Sequence, residues 1–278
     1  MHAYPFTLPI AIGLVALGFG VGTVGTLVGA GGGFILTPVL LIAYPRTKPD
    51  LITAISLVVV FFNALSGSFA YRRQRRIDYR SGLAFAAAAL PGSVAGALVV
   101  GLVPIKPFDL IMGAILGLLS LLVLRGAAPR LEPHALRSAT PRSLTDAEGE
   151  TYEYAVRVRR GIAYSALVGF VSSFLGIGGG VIHVPLMVTQ LGFPVHVATA
   201  TSHFVLTFMA FTGSATHAIS GTFAGGIGLR RAAALSIGVI AGAQLGAKLS
   251  QRFSGGLIQR VLGVALLGIA ARVLTQAL

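Results

Sequence analysis

The chain contains no cysteine, which excludes disulfides, thiolate catalysis and any cysteine relay. It holds only eight acidic residues, Asp50, Asp78, Asp109, Glu132, Asp146, Glu148, Glu150 and Glu153, and the sequence is read as placing none of them inside an apolar run. A His-Glu-x-x-His metal site is absent, and no close histidine pair replaces it. The phosphate-binding pattern Gly-x-x-x-x-Gly-Lys-Ser/Thr is also missing, so this chain does not hydrolyse ATP by that device. No basic stretch precedes the first apolar run and no small-residue cleavage site is evident, so that run is expected to be retained.

What is present is apolar. Of 278 residues, 55% are hydrophobic and 10% charged, with a mean hydropathy of +0.85, the balance of an integral membrane protein. Eight apolar segments of about 18–24 residues fit along the chain, each long enough to cross a core of about 30 Å as helix. The formal charge of +13 comes from Lys and Arg in short loops between these runs, a pattern of topology control rather than nucleic-acid binding.

The chain is organised around Gly29-Ala30-Gly31-Gly32-Gly33, which interrupts an apolar run and is followed by Phe34-Ile35-Leu36-Thr37-Pro38. It recurs as Gly176-Ile177-Gly178-Gly179-Gly180 before Val181-Ile182-His183-Val184-Pro185. Each Gly costs a helix roughly 1 kcal/mol against Ala, so four in five positions predict a helix break. Within the hydrocarbon layer, broken backbone needs partners from protein or a water-lined cavity, and paired breaks in two repeats point to a transporter's binding site. The repeat extends further: Thr53-Ala54-Ile55-Ser56 aligns with Thr199-Ala200-Thr201-Ser202, Gly67-Ser68 with Gly213-Ser214, and Gly92-x-x-x-Gly96 with Gly238-x-x-x-Gly242.

The expected fold is therefore an all-α membrane protein of eight transmembrane helices in two four-helix repeats, the first helix of each broken at its glycine turn. Residues 1–124 form the first repeat, 125–160 an arginine-rich cytoplasmic linker and 161–278 the second. In the linker, disorder is expected to about Thr145, with a short surface helix over Glu148–Arg160 as the alternative. If each broken element makes one net crossing, the halves point the same way and relate by an axis along the membrane normal. The arginine-rich loop Arg72–Arg80 is then cytoplasmic together with the linker and both termini. That arrangement puts 15 of the 21 Lys and Arg inside, in a multi-pass protein of the cell inner membrane.

Two Gly-x-Gly-Gly-Gly turns in repeat register, each followed by proline, with Ala198-Thr199-Ala200-Thr201-Ser202 after the second, resemble the TauE/SafE family of sulfite and organosulfonate transporters. The resemblance covers both halves, and it implies movement of small sulfur-containing anions such as sulfite, sulfoacetate or related sulfonates. Partners expected are that anion, the lipid bilayer, protons as coupling ion and a second copy in a homodimer; nucleic acid is not among them, and no cofactor is.

No Lys or Arg lies centrally in a span, so helix ends, hydroxyls and amides must hold an anion. The expected substrate-binding set comprises Gly31, Gly32, Gly33 and Phe34 at the first break and Gly178, Gly179, Gly180 and Val181 at the second. Ser56 and Asn63, seven residues apart on one helix face, join it, as do Thr201, Ser202 and His203. Against this, Ser and Thr hydroxyls in membrane helices often return to carbonyls of their own helix. His183 and His203 are the candidate proton sensors, because an ionisable group inside the membrane is functional by default, while His196 and His217 lie toward span ends. His203 takes the place of Leu57 in the first repeat. No catalytic or metal-binding residue is expected; a passive anion channel and, less favoured, an intramembrane histidine-dependent enzyme are the competing readings.

Overall fold

In the computed structural model, which describes residues 6–45, 47–125, 139–224 and 226–277, both glycine turns end a helix. Helix α1 (Leu8–Leu27) stops at Val28, and α2 (Gly33–Ala43) begins five residues later. Between them Gly29, Gly31 and Gly32 take φ of 76°, 75° and 78°, where any residue with a Cβ is strained. Three long helices follow, α3 (Pro49–Arg73), α4 (Tyr79–Val99) with a 3₁₀ extension to Leu102, and α5 (Ile105–Leu124), and then a β-hairpin of β1 (Thr140–Thr145) and β2 (Thr151–Val156). Helix α6 (Val158–Leu175) leads into the second turn, and α7 (Gly180–Leu186) runs on into one π-helical turn, Met187–Leu191. The chain closes with α8 (Val195–Ile219), α9 (Ile227–Arg252) and α10 (Gly255–Ala277).

Among the described residues, six helices are long and apolar enough to cross a membrane: α1, α3, α4 with its extension, α5, α8 and, from Gly228, α9. The pieces Gly33–Ala43 and Gly180–Leu191 are apolar but short. Asp109 lies within α5, 7% exposed and with Oδ1 unpartnered among the described residues, and Asp50 stands in the first turn of α3. The reading that no acid enters a span is thereby corrected: the apolar run resumes at Leu110, and one helical turn of mixed residues before it hid the carboxylate.

Small residues let these helices touch backbone to backbone. A Cβ on Gly18 or Gly22 would overlap Leu235 or Val239 of α9, and one on Gly242 would overlap Phe19 of α1. Gly92 and Gly96 of α4 rest in the same way on Ala166 and Phe170 of α6. Gly13 and Gly20, by contrast, meet nothing within 4 Å and take no part in packing.

These contacts fix directions. Helices α1 and α9 run parallel, since Gly18 meets Leu235 and Gly246 meets Thr23. Helices α3 and α8 run antiparallel, since Gly67 meets His203 while Leu57 meets Gly213. The second pieces of the broken elements come back toward their starting ends. Arg157 N donates to Leu191 O at 3.3 Å, so the stretch from Gly180 ends beside the start of α6. Likewise Tyr44, just past α2, lies 4.4 Å under the Arg231 guanidinium, one turn into α9 at the end where α1 begins. The expectation of one net crossing per broken element is corrected: each turns back at its glycines, because a break with several left-handed residues reverses the chain.

The linker also departs from expectation. Residues 126–138 lie outside the described residues, but 140–156 form a two-stranded hairpin rather than a disordered stretch or a helix, with Thr140 opposite Val156 and Thr145 opposite Thr151. Thr151, Tyr152, Tyr154 and Val156 favour strand, and Asp146 closes the turn by accepting from the N–H groups of Glu148 and Glu150. The hairpin is anchored by a buried ion pair, Arg76 Nη2 and Nε to Asp146 Oδ2 at 2.8 and 3.0 Å, and by Ala147 N donating to Gln74 O at 2.9 Å. Burial raises the Asp146 pKa, but bonds from Arg76 and the two backbone N–H groups outweigh it and hold the carboxyl below its usual value. Tyr154 donates to Asp78 Oδ2 at 3.2 Å, and burial together with the Asp78 charge pushes that phenol above its ordinary value.

Candidate functional site

The two glycine turns meet. Gly33 packs on the carbonyls of Gly176 and Ile177, and Gly180 packs on Gly29 and Ala30. All ten residues of the two turns are buried, as are Phe34 and Val181. A helix break leaves carbonyls without partners, and the crossing helices supply hydroxyls to them. Ser56 Oγ donates to Gly176 O at 2.7 Å, with Thr37 Oγ1 2.8 Å from the same oxygen, and Ser202 Oγ donates to Gly29 O at 3.4 Å. Ser56 and Ser202 hold equivalent places in the two halves, each tying down the other half's turn.

On the donor side, Gly179 N is taken by Ser172 Oγ, while the N–H groups of Gly32, Gly33 and Phe34 have no acceptor among the described residues. Gly31 lies against Leu206 and Val60, and Gly178 against Val60 and Leu206, so one apolar pair covers both turns. Sequence reasoning missed Val60 and Leu206, although they share the 146-residue register of the other repeat pairs.

Beside the first turn lies a polar cluster. Thr26 Oγ1 donates to Asn63 Oδ1 at 3.0 Å and sits 3.2 Å from His203 Nε2, while Tyr71 donates to Thr26 O at 2.6 Å. The Tyr71 ring meets the His203 ring edge-on at 5.5 Å. Asn63 is fully buried, and its Nδ2 has no hydrogen-bond partner among the described residues. The register counterparts of Asn63 and His203 are Met209 and Leu57, so only one of the two equivalent positions is polar. Thr26 and Tyr71 escaped the sequence reading because a lone Thr or Tyr near a span end carries no pattern.

Other candidates lie elsewhere. Thr201 Oγ1 accepts from Asp78 N at 2.9 Å, at the start of α4. His183 Nε2 is 3.0 Å from Ser165 Oγ, with Phe85 edge-on at 5.9 Å, and no contact joins it to His203. His217 lies toward the far end of α8, 3.5 Å from Thr53 Oγ1. Thr216 returns its hydroxyl to Thr212 O in its own helix.

Apolar helices long enough to cross a membrane, packed around two touching helix breaks, place the molecule in the class of multi-pass helical membrane proteins. Residues 14–273 match the family model described as sulfite exporter TauE/SafE, and the chain belongs to that family. It is 34% identical over 269 residues to "Probable membrane transporter protein YunE" of Bacillus subtilis, covering 95% of this chain and 97% of that protein. A "Probable membrane transporter protein" of Xylella fastidiosa (strain 9a5c) is 28% identical, covering 96% and 95% of the two chains. "Probable membrane transporter protein MJ0441" of Methanocaldococcus jannaschii is 26% identical, covering 87% and 86%. No solved structure matches the chain.

Proposed function

We propose that this protein is a secondary transporter of a small anion, sulfite, sulfoacetate or a related sulfonate, bound where the two glycine turns meet. The observation that carries the reading is that two helix breaks, one from each half, touch at the core of the molecule with donor N–H groups of Gly32, Gly33 and Phe34 left over. Such groups, at the positive end of a helix dipole, hold an anion without a buried cation. Gly31 to Phe34 and Gly178 to Val181 form the cradle; Ser56 and Ser202 brace it; Asn63 and His203 offer side-chain contacts. Val60 and Leu206 close over both turns, which supports a carrier that must rearrange over an open pore.

In this proposal the halves are inverted repeats, each a broken re-entrant element followed by three crossing helices, related by an axis in the membrane plane. The antiparallel packing of α3 and α8 and the return of each broken element support it. The hairpin and the Arg72–Arg80 loop then share one face with Lys248, Arg252 and Arg260, while Lys48, Lys106, Arg230, Arg231 and Arg272 lie on the other. The richer face is cytoplasmic by the positive-inside rule, which moves both termini to the outside.

The test is counter-exchange in proteoliposomes with sulfite, sulfoacetate, sulfolactate, sulfate and acetate, with and without a pH gradient. Saturable exchange of the sulfur anions is expected, and Gly32→Leu or Gly179→Leu should abolish it while the protein remains in the membrane. Normal flux in both variants would make the turns packing devices; non-saturating flux would favour the channel.

A further inference from the structure

A groove of about 210 Å³ opens between α3 and α8, on the surface that faces lipid in the proposed arrangement. Its walls are Leu65, Phe69, Phe204 and Phe208, and Arg72 and Tyr79 stand at one end. Phe69, Tyr79 and Phe208 are 54%, 43% and 38% exposed, and Arg72 is exposed with no ion-pair partner among the described residues. The end carrying Arg72 belongs to the face where most of the cations gather.

The equivalent surface of the other half is built differently. At the positions 146 residues away, Leu65 is answered by Phe211, while Thr207 and Phe208 are answered by Phe61 and Phe62. There three rings cluster along the seam: Phe61 lies 5.1 Å from Phe62 and 5.5 Å from Phe211. Arg72 is answered by Ala218. One half therefore places three clustered rings along this seam and an alanine where the other half has Arg72, whereas the other leaves an apolar slot topped by that arginine.

We infer that this groove is a binding site for an anionic phospholipid, its acyl chain along Phe69, Phe204 and Phe208 and its phosphate on Arg72. A slot in a membrane-facing wall is bathed in acyl chains, and a guanidinium at its headgroup end selects the charged ones. Ser68 and Thr207, 3.2 Å apart across the α3–α8 seam, lie against the same slot, so the lipid bears on the pair of helices that carries Asn63 and His203.

Native mass spectrometry of the purified protein, titrated with phosphatidylglycerol and phosphatidylcholine of identical chains, tests the site. Wild type should retain phosphatidylglycerol preferentially, and Arg72→Gln should reduce that preference about fivefold, the effect of one basic group near a charged membrane. Thr207→Phe restores the ring present in the other half and should displace the lipid with Arg72 intact, while Arg73→Gln should leave the preference unchanged. Monodispersity of each variant by size exclusion guards against misfolding. Equal retention of the two lipids, an unaltered preference in both Arg72→Gln and Thr207→Phe, or displacement by free glycerol phosphate would overturn the proposal. So would a dimer that Thr207→Phe breaks, which would give the groove to a second copy of the chain.

Discussion

At the residue scale the clearest signal is Asn63. Its carbonyl oxygen is used by Thr26, yet its amide nitrogen is buried without an acceptor among the described residues, and a buried polar group left unpaired costs about 1–3 kcal/mol. A bound anion would supply that acceptor. Asn63→Asp keeps an oxygen for Thr26 and replaces the donor by a carboxylate that repels an anion. Transport should fall at least about tenfold, equivalent to about 1.4 kcal/mol, with no loss of folded protein. Wild-type rates in Asn63→Asp would remove this residue from the site. His203, bonded to the same threonine, is the coupling candidate. His203→Gln and His203→Ala should flatten the pH dependence of transport, and an unchanged profile in both would leave the proton on the substrate.

At the scale of elements, the β-hairpin joins the two halves. Arg76 and Gln74 belong to the turn after α3, whereas the Tyr154 ring rests 5.3 Å from that of Phe193, just before α8. Because the Asp146 pKa is depressed in the folded protein, its contribution is complete above the usual carboxylate pKa and is lost as pH falls through the folded value. Neutral pH therefore leaves the hairpin clamped. Asp146→Asn takes the paired charge from buried Arg76 and leaves it Glu148 at 3.8 Å and an amide oxygen, a loss below the about 3–5 kcal/mol of a fully broken buried pair. Hydrogen exchange over residues 140–156 should accelerate in that variant, and protection equal to wild type would show that the ion pair does not hold the hairpin.

What the sequence made legible follows from the strength of each local signal. Four glycines in five positions leave no alternative to a helix break, so both turns were readable. The hairpin was not, because its strands sit in a charged, proline-containing stretch and derive their order from Arg76 and Gln74, more than 60 residues earlier. Thr201 looked like a partner of Ser202, but adjacent residues on a helix face different ways, and Thr201 meets Asp78 instead.

For the whole molecule the decisive question is topology, and charge counting alone does not answer it. Turning the broken elements back exchanges Arg230, Arg231 and Arg272 for Lys248, Arg252 and Arg260 on the cation-rich face, three for three, so both arrangements satisfy the positive-inside rule equally. They differ in where the amino terminus lies relative to the hairpin. If each broken element crossed once, Thr7 and Gly149 would share a face; with the return at each glycine turn they lie on opposite faces. The absence of native cysteine makes the experiment clean. Thr7→Cys, Lys106→Cys and Gly149→Cys should each leave a single reactive thiol, since Thr7 immediately precedes α1, Lys106 opens α5 and Gly149 is an exposed turn glycine. A membrane-impermeant maleimide applied to intact cells should label Thr7→Cys and Lys106→Cys, and Gly149→Cys only after permeabilisation. Labelling of Gly149→Cys alone would keep the inverted halves but reverse their orientation. Thr7→Cys and Gly149→Cys labelling together, with Lys106→Cys opposite, would restore the single crossing and dismantle the inverted-repeat mechanism.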